Sequence, residues 1–115
     1  MRLHRRERMS SLIAEKLAWM IEREIEIPGS LITITGVEIT DKFELAAVKV
    51  SVYPSEKKEA VMNVLIKLAG HFQFELIRLL NIKPIPRIHF KYDDGPRKAA
   101  AVEKGLMKEE EQLGL

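Results

Sequence analysis

The chain contains no cysteine. That excludes a disulfide scaffold, a thiolate metal site and a cysteine nucleophile, and it is the usage expected of a protein in a reducing cytoplasm. Aromatic residues make up only 6% of the chain, with a single tryptophan, so a surface of stacked rings for reading single-stranded bases is not indicated. No apolar run approaches the roughly twenty residues that a membrane span needs. The basic start from Arg2 to Arg8 is not followed by the apolar stretch of a signal peptide. His4, His71 and His89 show no metal-ligand spacing. A Walker loop, a dinucleotide-binding glycine fingerprint and a nucleophile elbow are all missing. Asp93-Asp94 stands before Gly95-Pro96 and reads as a solvated turn. These absences describe a binding protein with no expected enzyme activity, metal, cofactor or small-molecule substrate.

What is present suits one domain: 115 residues, 46% of them hydrophobic, can bury a core without covalent staples. From Leu3 to Glu26, Met9, Leu12, Ile13, Leu17, Met20 and Ile21 recur at helical spacing. They predict an amphipathic helix that ends at Pro28-Gly29, with Trp19 at the edge of its core face. Leu31 to Tyr53 is rich in Ile, Val and Thr and predicts a hairpin of two strands turning at Thr40-Asp41-Lys42. Ile32 and Ile34 lie out of phase with Val37 and Ile39, so a β-bulge is expected at Thr35-Gly36. Ala46, Val48, Val50 and Val52 share the inner face of the second strand, and Lys49, Ser51 and Tyr53 the outer one.

Ser55 is the expected N-cap of the next helix. Val61, Leu65, Leu68, Phe72, Leu76 and Leu79 then form one helical stripe that runs through Gly70. The glycine marks an expected kink between two closely packed helices. Two prolines in 81–86 break the helical pattern. Arg87 to Tyr92 alternates, with Ile88, Phe90 and Tyr92 on one face and Arg87, His89 and Lys91 on the other. Residues 97–115 are rich in Ala, Glu and Lys and are expected to form a weakly helical or disordered tail. The resulting fold class is α+β, in the order helix-strand-strand-helix-kink-helix-strand, with helices on one face of a three-stranded sheet.

The formal net charge of +2 says little, but its distribution says more. Arginines crowd residues 1–9, and basic residues dominate 81–98. Such clusters form patches that a polyanion recognises. The candidate RNA-binding residues are Arg5, Arg6, Arg8, Lys67, His71, Arg78, Lys83, Arg87, His89 and Lys91. Their cations would neutralise phosphates and release counterions, and they are expected to converge on one side of the domain.

Particular stretches sharpen this reading: Arg5-Arg6-Glu7-Arg8-Met9, Ile32 to Ile39, Ala46 to Val52, Ala69-Gly70, and Pro86 to Asp93. In this order and spacing the chain resembles the ribosome-binding factor A family from about Arg5 to Asp93. The resemblance implies a type-II KH-like fold over residues 1–96, with Ala69 and Gly70 at the joint that replaces the Gly-x-x-Gly loop of ordinary KH domains. Leu68 stands where the family's joint usually has alanine, Gln73 where a basic residue is common, and Arg87 where an acid is common. The resemblance further implies a monomeric cytoplasmic protein that binds the free small (30S) ribosomal subunit and its 16S rRNA. It would assist late maturation, including processing of the rRNA 5′ end and cold adaptation. Two other readings are a KH-like domain that grips single-stranded RNA away from the ribosome, and a protein-interaction module whose strands pair with a partner. The missing Gly-x-x-Gly clamp weighs against the first.

Overall fold

The structure, a computed structural model, describes residues 4–95, so the expected tail at 97–115 lies outside the described residues. Helix α1 spans Arg5–Glu24 and buries Met9, Ile13, Leu17, Met20 and Ile21, the stripe expected from its spacing. Strands β1 (Leu31–Ile39) and β2 (Leu45–Tyr53) pair antiparallel. A 3₁₀ turn at Ser55–Lys57 leads into helix α2 (Lys58–Leu80), and β3 (Arg87–Tyr92) pairs parallel to β2. The sheet order is β1-β2-β3, with β2 central. Parallel pairing follows from the connection, because α2 carries the chain back along the sheet before β3 begins.

The bulge decides which face β1 buries. Ile34 pairs with Val50, while Gly36 pairs with Lys49, leaving Thr35 as the extra residue. The slip brings Ile32, Ile34, Val37 and Ile39 opposite Val52, Val50, Val48 and Ala46, all four of which are buried. Without it, Val37 and Ile39 would point to solvent. The turn itself is held by Thr40, whose Oγ1 accepts from the backbone N–H of Glu44 at 3.0 Å and of Leu45 at 3.1 Å. Phe43 takes the left-handed conformation there (φ 59°).

Three expectations need correction. The chain from Lys58 to Leu80 is one uninterrupted α-helix, so the described residues hold two α-helices instead of three. Gly70 is exposed within it, and a Cβ placed there would meet nothing within 4 Å. Close packing therefore does not explain this glycine. The helix continues because Val61, Leu65, Phe72 and Leu76 are buried on its inner side, while Gly70 sits on the outer side and costs only its helix propensity. Gly70→Ala should accordingly raise stability by about 1 kcal/mol, measured by urea denaturation; a loss would restore the packed joint. Trp19, expected at the core, is 49% exposed, with the Arg23 guanidinium 4.4 Å from its ring centroid. Ser55 makes no side-chain cap; it opens the 3₁₀ turn, and Lys57 occupies the N-cap position of α2 without a side-chain hydrogen bond.

By length and composition alone, the 3₁₀ turn and α2 together could cross a membrane. In the fold one side of α2, with Val61, Leu65, Phe72 and Leu76, is buried in the domain core, while Ile66, Phe74, Ile77 and Leu79 on its other side are exposed. Its inner side also holds a polar tie: Gln73 Nε2 donates to Pro86 O at 3.0 Å, and Ile88 N donates to Gln73 Oε1 at 2.7 Å. This amide satisfies backbone groups and fastens the start of β3 to α2.

Candidate nucleic-acid interface

Both helices pack on the face of the sheet that carries Ala46, Val48, Val50, Val52, Ile88 and Phe90. The other face is uncovered among the described residues. Strand alternation places Arg87, His89 and Lys91 on it, all exposed, while Ile88 and Phe90 are buried beneath them. Register sets Lys49 of β2 beside Lys91 and Ala47 beside His89. Lys49 also forms an ion pair with Glu38 on β1. That contact, by hydrogen bonding first and charge second, holds the Glu38 carboxyl below its ordinary value and the Lys49 ammonium above its own. The sequence marks Lys49 as outward-facing but does not count it in the site; the alternation that selects Lys91 selects it too.

At one end of the sheet the backbone gathers several distant segments. The β1–β2 turn, the start of β3 and the end of α2 meet there, joined by an Arg87 N–H bond to Glu44 O at 3.0 Å. The first turns of α1 reach the same end, since Arg6 pairs with Asp41 and the Arg5 guanidinium lies 5.3 Å from the Phe43 ring centroid. Arg5, Arg6, Lys42, Arg78, Lys83 and Arg87 are thereby brought to one end of the domain, with Arg8 a turn further along α1. Asp41 and Glu75 offset part of this charge, Glu75 by bonding Arg78 at 2.8 Å.

The expected convergence of all candidate cations on one side does not occur. The basic row of β3 faces away from the helices, whereas Lys67, His71 and Arg78 lie on the outer side of α2. Periodicity assigns each residue an inner or outer side of its own element, but outward from a helix and outward from a strand beneath it are opposite directions. His71 Nε2 instead contacts Glu24 Oε1 at 2.6 Å, joining the middle of α2 to the end of α1. No group of His, Asp or Glu suited to a metal occurs among the described residues.

A three-stranded mixed sheet with two helices on one face makes this an α+β domain. The family model for ribosome-binding factor A matches residues 5–106. The ribosome-binding factor A of Dictyoglomus thermophilum is 34% identical over 116 residues, covering 96% of this chain and 92% of the relative. That of Pseudomonas paraeruginosa is 33% identical over 100 residues, covering 84% and 78% respectively. The crystal structure of ribosome-binding factor A from Thermus thermophilus superposes with a TM-score of 0.65 at 20% identity, over 76% of this chain and 93% of that one. The chain belongs to the ribosome-binding factor A family.

Proposed function

We propose that this protein binds the free small ribosomal subunit through its 16S rRNA and assists late steps of subunit maturation, including processing of the rRNA 5′ end. Residues 1–96 form the RNA-binding domain, acting as a monomer in the cytoplasm. The observation that carries the reading is family membership over most of the chain, together with an exposed row of cations, Arg87, His89 and Lys91, on an uncovered sheet face. Those side chains would contact phosphates and fix orientation, with Lys49 and the basic end around Arg5, Arg6 and Lys83 extending the footprint. Lys67, His71 and Arg78, on the helical side, form a separate group of candidate contacts. With few exposed rings and no Gly-x-x-Gly loop, recognition of rRNA shape and backbone fits better than base reading.

The biological role is tested in cells lacking their own factor of this family. Expression of this chain should restore mature 16S 5′ ends, measured by primer extension, and should restore growth in the cold. Persistent precursor rRNA despite stable expression would contradict the proposal.

A further inference from the structure

The end of the domain opposite the basic one carries Glu22, Glu24, Glu26, Glu56, Asp93 and Asp94, together with the cations Arg23, Lys57 and Lys58. There α1 and β1 enclose a groove. Ile21, Ile25, Ile32 and Ile34 supply apolar walls, and Ala18 is too small to fill the space between helix and strand. Glu22 and Glu26 also line it; both are exposed, neither forms an ion pair among the described residues, and no lining residue is basic.

Beside this groove runs the free edge of β1. The strand order leaves β1 with one neighbour, β2, so alternate backbone N–H and C=O groups point away from the sheet. Among the described residues no backbone hydrogen bond from outside the sheet reaches 31–39. The bulge at Thr35 interrupts the edge, leaving Leu31–Ile34 as a straight stretch before it. This stretch is the part that flanks the groove, and Leu31, 64% exposed, adds apolar surface beside it.

We infer that this edge and groove form a docking site for a basic, extended polypeptide segment of a partner protein. The segment adds as a fourth strand along Leu31–Ile34. Backbone hydrogen bonds supply the register, and alternate apolar side chains enter the groove between Ala18 and Ile32. A lysine or arginine at another of the groove-facing alternate positions meets Glu22 and Glu26, which line the same groove, and this selects basic partners and repels acidic ones. The site lies at the opposite end of the domain from Arg5 and Arg87 and does not depend on the RNA reading. A protein bound there and a nucleic acid bound at the basic surface would not compete.

The test uses the full chain and a fluorescein-labelled decapeptide whose alternate, groove-facing positions carry valine, isoleucine and flanking lysines, with threonine at the positions between. Binding is followed by NMR titration and by amide hydrogen exchange. The peptide should bind with the largest shifts, and with new protection from exchange, confined to residues 31–34 and the groove. Replacing its lysines by glutamates, or making the E22K/E26K double variant, should weaken binding about tenfold or more by reversing the charge match. A central proline in the peptide should abolish it, since strand addition needs that N–H. Absence of binding, or equal binding of the proline peptide, would overturn the inference. Protection of 31–34 already present in the free chain would also overturn it, by assigning the edge to another occupant. Loss of that protection on removing 96–115 would identify the chain's own segment; dependence on protein concentration would identify a second copy.

Discussion

Phe72→Ala should destabilise the domain by about 3–5 kcal/mol, the range for deleting a large aromatic side chain from a close-packed core. Phe72 is fully buried on the inner side of α2, and its ring meets that of Phe90 edge-on, with centroids 6.1 Å apart. The residue thus ties α2 to β3, and an edge-to-face pair adds about 0.5–1.5 kcal/mol beyond area burial. Small domains are stable by only about 5–15 kcal/mol, so the variant should unfold at much lower urea. Phe74, two residues along, is 63% exposed, and Phe74→Ala should change stability by no more than about 0.5 kcal/mol. Equal effects at the two positions would mean that α2 is rotated from the orientation described.

The second large effect is electrostatic. Joint reversal of Arg87 and Lys91 to glutamate should sharply weaken binding to rRNA. If the intact surface neutralises about five phosphates, log affinity should fall against log salt with a slope on the order of −4. Losing two of those contacts should bring the slope to about −2. Because both side chains are exposed and lie opposite the buried Ile88 and Phe90, the melting temperature should hardly change. Reversing Lys67 provides the contrast, since it lies on the other side of the domain. If Lys67→Glu weakens binding as much as the double reversal, and Arg87 and Lys91 prove silent, the RNA lies on the helices.

Much of this arrangement is legible in residue order. The phase slip between Ile34 and Val37 gives the bulge, because only an extra residue brings four apolar side chains of β1 to one face. Alternation in Arg87 to Tyr92 likewise separates Ile88 and Phe90 from the basic row. What sequence leaves hidden is relative placement. Gly70 looks like a joint because glycine is a poor helix former, yet burial of Leu65, Phe72 and Leu76 on either side outweighs that local cost. Trp19 counts as hydrophobic in any pattern, but its place on α1 turns it to solvent against Arg23. Pairs such as His71–Glu24 and Arg6–Asp41 join positions far apart in the chain, and no local spacing signals them. For the same reason, cations that seemed poised to meet divide between a helix layer and the opposite face of the sheet.

The central claim is selective attachment to one ribosomal particle, and co-sedimentation measures it most directly. Purified protein is mixed with isolated small or large subunits at moderate salt, and the bound fraction is quantified after pelleting through a sucrose cushion. The account predicts saturable recovery with small subunits, little with large ones, and release as salt rises. Equal recovery with both particles would contradict it and leave only a basic surface that adheres to any rRNA.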